Sequence, residues 1–216
     1  MTKPTLIYVF DPLCGWCYGF HPVMEKLQKR FGDRITINVK TGGLAVGDRA
    51  QPISEGYSYI KDGLRQVEKT TGTEFGRNFK LLAEEGSYYY DSVPPCKAQK
   101  VVNEITPDHS LTFAGRLQNA FFRDGKNLNE LHTYKELIEP FNISWEGFKT
   151  RFDSDNTTEA LMEEFDWCRT HGATGFPTLL IKIEDETSIM ARGYRPFDTI
   201  ESHLHHLINN LEKISS

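Results

Sequence analysis

Cysteine is scarce in this chain, with 4 in 216 residues. That is too few for a disulfide framework, and at this length an apolar core holds a fold without staples. Long apolar runs are missing as well. The opening MTKPTLIYVF carries one lysine and a short hydrophobic stretch that stops at Asp11, too short and wrongly flanked for a signal peptide or a membrane span. A cytoplasmic location is therefore expected, where thiols stay reduced. Basic charge is not in excess: the formal net charge of -5 argues against nucleic acid or a membrane as partner. The sequence holds no internal repeat, low-complexity tract or flexible linker. What remains, 38% hydrophobic and 25% charged residues with 10 prolines spread along the chain, describes an ordinary soluble globular protein.

Residues 6–10 (LIYVF) form a compact β-branched and aromatic run between Pro4 and Pro12, the signature of a buried strand. From Cys14 onward Phe20, Val23, Met24, Leu27 and Phe31 recur at helical spacing, and Gly32 stands where a helix C-cap belongs. Residues 34–40 (RITINVK) alternate polar and apolar, the period of a second strand, before a Gly-rich turn. The first part of the chain thus reads β-α-β. Between residues 54 and 171 the pattern turns helical, with stretches at 95–104, 111–123, 128–139 and 159–170 and no comparable strand. Strand character returns at 178–183 (TLLIKI) and 188–192, a hairpin, and an amphipathic helix from Phe197 closes the chain. The expected fold class is α/β, with a β-α-β/β-β-α domain built from 1–53 and 172–216 and an all-α insertion over 54–171.

Two of the few cysteines fall together in DPLCGWC, at the junction of the first strand and its helix. At a helix start, unpaired backbone N–H groups and the positive end of the helix dipole favour a thiolate at Cys14. Cys17, one turn on, is within reach to resolve a mixed disulfide. Cys14 is thus the predicted nucleophile and Cys17 the resolver. Pro22, well inside the helix, removes a backbone hydrogen bond and predicts a kink after the dithiol. A zinc half-site also uses Cys-x-x-Cys, but it needs four ligands, and neither Cys96 nor Cys168 lies in a second knuckle. No metal is expected.

A second signal is TGFP, ending at Pro177 directly before the TLLIKI strand. Together with CGWC it resembles the thioredoxin superfamily, whose members pack a cis-proline loop against the dithiol. With the helical block between the two β-containing halves, the chain resembles the DsbA family, and within it the cytoplasmic FrnE-like proteins. DPLCGWC, DSVPPCKAQ, AFFRDGKNLNE and HGATGFPTLL are all similar to segments of that family, and the match runs over essentially the whole chain. The resemblance implies a thioredoxin-like fold and a thiol-disulfide oxidoreductase of the protein-disulfide isomerase or reductase type. It makes Cys14 the exposed nucleophile, Cys17 the buried resolver and Pro177 the cis-proline. Phe176 would lend its backbone to an extended substrate by β-augmentation. The implied partners are disulfide- or thiol-containing proteins, peptides or small molecules, plus an external thiol reductant such as glutathione; no resident cofactor is implied. Periplasmic DsbA has a histidine where this chain has Trp16, so a more reducing potential is expected here, about -270 to -180 mV against about -120 mV for DsbA.

Two other readings share this architecture. Kappa-class glutathione transferases and hydroxychromene-carboxylate isomerases bind glutathione beside a serine, where this chain has its cysteines. A thioredoxin-fold adaptor or chaperone would hold a partner without turnover. Of the remaining residues, Trp16 is expected to stand exposed at the rim and contact substrate. Cys96 reads as a packed residue at a helix entry more than a third redox thiol, and Cys168 as a buried inert one. His203, His205 and His206 flank an apolar stripe and read as solvent-facing, not metal-binding. Asp11 reads as a turn starter before Pro12, not a proton carrier, and Glu84, Glu85, Glu163 and Glu164 as solvated helix faces. Tyr88–Tyr90 fit a substrate groove or a cover for the helical block equally well.

Overall fold

In the computed structural model, which describes residues 3–215 apart from the side chains of 57–60, 214 and 215, one strand organises the molecule. β1 (Thr5–Phe10) lies between β2 (Thr36–Thr41), to which it is parallel, and β5 (Thr178–Ile183), to which it is antiparallel. β6 (Glu186–Arg192) pairs antiparallel with β5, and the sheet order is β2-β1-β5-β6. A central strand covered on both faces has no use for polar residues, which is why LIYVF runs apolar without a break. Leu6, Tyr8 and Phe10 enter the same core as α1 (Gly15–Phe31) and α9 (Phe197–Ser215). Ile7 and Val9 point to the other face, toward Cys168 of α8 (Asp155–Thr170).

The helices between β2 and β5 build a second core. They are α2 (Ile53–Thr71), α3 (Arg77–Glu85), α4 (Val93–Ile105), α5 (Ser110–Phe122), α6 (Thr133–Ile138), α7 (Trp145–Phe152) and α8. Phenylalanine dominates their interior: Phe79, Phe121 and Phe122 sit with ring centroids 4.9 to 5.1 Å apart, mostly edge to face, an arrangement favoured by the ring quadrupoles. Leu13 and Tyr18, from the loop and helix that carry the dithiol, are buried in this second core. Tyr18 stacks 5.1 Å from Phe122 while its neighbours Cys17 and Phe20 face the sheet. Helix α1 therefore belongs to both cores, and the dithiol lies at their seam.

Several boundaries differ from the sequence reading for local reasons. The second strand begins at Thr36, because the backbone N–H groups of Arg34 and Ile35 both turn back to the Phe31 carbonyl. Gly32 caps α1 in a right-handed conformation, φ -55°, without the left-handed turn that glycine usually supplies. Pro22 lies inside α1, where the sequence reading placed it. α6 starts at Thr133, not 128, since Thr133 Oγ1 donates to the Asn127 carbonyl and closes the preceding segment as a turn. The block expected to be wholly helical holds one strand of a two-residue ladder, β4 (Tyr89–Tyr90), which pairs with β3 (Gln51–Pro52) just before the block; the ladder is too short for any periodic signal.

One close approach rests on a glycine. Gly76 donates its N–H to the Phe122 carbonyl at 2.8 Å, and a Cβ there would lie 1.9 Å from the Arg123 carbonyl oxygen. The obstacle is backbone and has little room to yield. Gly76→Ala is expected to lower unfolding free energy in urea titration by about 1–3 kcal/mol. Gly63→Ala, in the interior of α2 with nothing within 4 Å of its Cβ, is expected to raise it by roughly 0.5–1 kcal/mol.

Candidate active site

Cys14 is the N-cap residue of α1, with extended backbone (φ -85°, ψ 113°). Its sulfur accepts the Cys17 backbone N–H at 3.3 Å, as an oxygen does in an ordinary cap. Its thiol donates to the Phe176 carbonyl at 3.5 Å. The Phe176–Pro177 peptide bond is cis. Two contacts hold this loop: the Gly193 N–H donates to the Pro177 carbonyl at 2.8 Å, and Thr178 Oγ1 donates to the Gly175 carbonyl at 2.7 Å. Four residues singled out in the sequence, Cys14, Cys17, Phe176 and Pro177, thus converge at the end of β1. Their exposure differs from expectation. Cys14 is only 7% exposed, because Trp16 and Phe176 pack into the same core beside it. Trp16 is itself half-buried, not an open rim residue: it touches both cores, with its ring 6.4 Å from that of Tyr194. Together with Gln66, Thr70, Phe176 and Arg195 these two rings border a cavity of about 370 Å³.

Beneath the pair lies Asp11, completely buried. The turn-starter reading understates it. Oδ1 accepts the Leu13 N–H at 2.9 Å and the Ser92 hydroxyl at 3.0 Å, while Oδ2 accepts the Leu44 N–H at 2.7 Å and the Cys96 thiol at 3.7 Å. Burial raises the Asp11 carboxyl above its ordinary range, and these donors pull it partly back. Cys17 is fully buried; burial pushes its thiol well up, the Cys14 sulfur adds to this through a hydrogen bond and charge, and Asp11 acts both ways, lowering it through a backbone hydrogen bond and raising it through its charge. The arrangement is a shallow sulfur at a helix N-terminus above a buried one whose thiol is held protonated, with the hydrogen-bonded Asp11 carboxyl beside them. Such a pair can break and re-form a disulfide in sequence.

The DSBA-like thioredoxin domain model matches residues 5–205. The chain belongs to this family. A candidate protein disulfide isomerase from Nitrosomonas europaea has the same fold with TM-score 0.85, 26% identity and 97% of this chain and 99% of that one covered. The cytosolic disulfide reductase DsbM from Pseudomonas aeruginosa aligns with TM-score 0.74 and 26% identity over 87% of this chain and 89% of its own. Among curated proteins, the ClpXP adapter protein SpxH of Halalkalibacterium halodurans is 24% identical over 90% of this chain. The chain spans 65% of that relative's length.

In this DSBA-like chain the other two cysteines are walled in. Cys96, fully buried, donates to Asp11, and burial followed by the Asp11 charge pushes its thiol well up. Cys168, 1% exposed, donates to the Thr41 carbonyl at 3.5 Å, and burial with the Glu164 charge raises it to about 12. Glu164 is the clearest departure from a sequence reading. Far from being solvated, it is buried and accepts the Thr41 N–H at 2.8 Å and Thr41 Oγ1 at 3.0 Å, with Lys40 and Lys100 ammonium groups at 3.4 and 3.3 Å. Only the strand register brings β2 to α8. Tyr90 donates its hydroxyl to the Leu13 carbonyl and Tyr88 is buried in the helical core, so this tyrosine run ties the dithiol loop to the helices. His203 and His206 are exposed, and His205 packs edge-on to Phe31 at 5.3 Å. Among the described residues no cluster of three or more His, Cys, Asp or Glu forms a metal site, and no helix is long and apolar enough to cross a membrane. Ser92 was not anticipated; its signal is a Ser directly before the Val-Pro-Pro helix start.

These burials order the thiols. Iodoacetamide on the reduced native protein is expected to label Cys14 first, with Cys17, Cys96 and Cys168 labelled at comparable rate only in urea; early labelling of Cys96 by mass spectrometry contradicts the packing. A thiol raised on folding stabilises the protein fully below its unfolded pKa, and that contribution is lost as pH rises toward the folded value. For Cys168 the window runs from 9.0 to about 12. Urea titrations of the reduced protein between pH 9 and 11 should therefore show Cys168→Ala losing stability less steeply than wild type, by roughly 1 kcal/mol per pH unit on average.

Proposed function

We propose that this chain is a cytoplasmic thiol-disulfide oxidoreductase in which Cys14 attacks and Cys17 resolves. The observation that carries the reading is the placement of the Cys14 sulfur, 3.3 Å from a helix-end N–H and 3.5 Å from the Phe176 carbonyl. In the reductive direction the Cys14 thiolate attacks one sulfur of a substrate disulfide. A Cys14–substrate bond forms, the substrate S–S bond breaks, and the departing thiolate takes up a proton. Bonding at Cys14 removes the charge that helps hold the proton on Cys17. Cys17 then loses its proton and attacks the Cys14 sulfur. The second substrate thiol leaves, and the Cys14–Cys17 disulfide holds the two electrons' worth of oxidation. An external dithiol, or two molecules of a glutathione-like thiol, returns the pair to its reduced form.

The placement of Phe176 supports a backbone-reading substrate site, since an extended chain laid along this loop reaches Cys14 with little demand on its sequence. Family membership and the likeness to a disulfide reductase solved also with GSH, at 25% identity and TM-score 0.72, support a small thiol as reductant. The DsbM relative is described as cytosolic, which supports the location. An adaptor reading is favoured by one finding, that curated relatives are named ClpXP adapter proteins. Replacing both Cys14 and Cys17 separates the two: an adaptor retains partner binding, and an oxidoreductase loses all turnover.

The first test is insulin reduction by dithiothreitol followed by turbidity. Wild type is expected to accelerate precipitation and Cys14→Ser to abolish the acceleration, while Cys17→Ser accumulates a mixed disulfide visible by mass spectrometry. No acceleration by wild type moves the reading toward a small-molecule substrate or the adaptor. Trp16 places no cation beside the pair, so equilibration with glutathione is expected to give a potential of about -270 to -180 mV. A value near -120 mV contradicts that assignment.

A further inference from the structure

Phe176 borders a second cavity, of about 410 Å³, distinct from the one beside Trp16. Its apolar wall is made by Phe165 and Phe176, both half-buried, with Met162 37% exposed. Two glycines let these rings close on the loop after β2. A Cβ on Gly42 would lie 1.9 Å from the Phe176 ring, and one on Gly43, where φ is +70°, would lie 3.0 Å from the Phe165 ring.

Two arginines complete the site. Arg49 donates to the Gly43 carbonyl at 2.9 Å, which fixes its guanidinium to that same loop. Arg169 pairs with Asp166 at 3.0 Å, but the two side chains are 69% and 72% exposed, and so open a pair contributes little and exchanges readily for another carboxylate. The cavity therefore holds two cations against one anion in a chain of net charge -5. Phe176 links it to the dithiol: the carbonyl accepts the Cys14 thiol and the ring lines the cavity. Only the Phe176 side chain separates the carbonyl that meets Cys14 from the cavity. An extended substrate advances about 3.3 Å per residue, which assigns the cavity to a position about two residues from the cysteine joined to Cys14.

Building on the oxidoreductase reading above, we propose that this cavity is a specificity subsite for an acidic side chain about two residues from the reacting cysteine of a polypeptide disulfide. The aliphatic stem packs on Phe165 and Phe176, and the carboxylate engages Arg49 and Arg169. Arginine suits this role because its planar fork matches a carboxylate.

The test uses acetylated, amidated peptides whose cysteine is disulfide-linked to 5-thio-2-nitrobenzoate, with Glu, Gln or Lys two positions to either side. Single-turnover reporter release by the reduced protein, with each Cys14 attack on the peptide sulfur expelling one 5-thio-2-nitrobenzoate, is expected to favour Glu over Lys by about tenfold in second-order rate constant. The Glu-to-Lys ratio should fall to about two in the Arg49→Ala, Arg169→Ala double variant and below one in Arg169→Glu. Arg151→Glu, on α7, keeps it. Because Arg49 also anchors the Gly43 loop, Arg169→Glu alone carries the test if the double variant does not fold. Equal rates for all three peptides overturn the subsite and leave the oxidoreductase standing; no release from any peptide, together with no oxidation of the protein's dithiol by 2-hydroxyethyl disulfide in mass spectrometry, overturns both. A preference that survives in Arg169→Glu overturns the assignment to this cavity. A Gln peptide with a free C-terminal carboxylate that matches the Glu peptide replaces the side chain by a chain end and overturns the proposal in its stated form.

Discussion

The carboxylate of Asp11 is the point on which the rest of the site depends. Shut off from water, it accepts donors from three separate parts of the chain: the dithiol loop through Leu13, the loop after β2 through Leu44, and the start of α4 through Ser92 and Cys96. Isolating a charge in this way is costly, and each hydrogen bond to a charged group returns about 1.5–3 kcal/mol only while its geometry holds. Burial keeps the carboxyl raised in spite of four donors, and Cys17 is raised first by its own burial and then by the Cys14 sulfur, with the Asp11 charge a smaller contribution. One buried side chain thereby ties together the loop that presents Cys14, the loop after β2 and the start of α4.

Around that anchor the chain closes two cores through a single helix. The short side of α1 faces the sheet with Cys17, Phe20, Met24 and Leu27, and Tyr18 turns into the phenylalanine cluster of the intervening helices. Interiors packed at crystal density transmit displacement instead of absorbing it. A shift in the helical block is felt at the dithiol through Tyr18, through Leu13 and through the Tyr90 hydroxyl on the Leu13 carbonyl. Glu164 does the same from the other side, binding β2 to α8 with Lys40 and Lys100. Phe176 sits where these constraints meet and faces Cys14 with its backbone and two cavities with its ring.

Much of this was legible in the residues. The unbroken run LIYVF announced a strand covered on both faces, and the hairpin and closing helix declared themselves by period. CGWC at a strand-helix junction and TGFP before a later strand marked the two loops that the fold brings together. Sequence reading went astray on short-range geometry and on burial. A two-residue ladder has no period to detect, and α3 and α7, of 9 and 8 residues, gave little more. Asp11 read as a local turn starter and Glu164 as a solvated face; besides Leu13, donors to Asp11 come from positions 33 and 81 residues away, and the Thr41 donors to Glu164 from 123 residues away.

By itself the sequence determined the order of elements, the positions of the dithiol and the proline loop, and the apolar faces that drive the two cores, because each is written in spacing along the chain. Tertiary structure alone decided that Cys14 is nearly covered, that Trp16 lies half inside, that Cys96 leans on Asp11, and that a pair of arginines lines the same cavity as the phenylalanine whose carbonyl meets the Cys14 sulfur. The physical reason is that exposure, the field at a buried charge and the lining of a cavity are properties of groups brought together from distant parts of the chain, and no local pattern encodes who the neighbours will be.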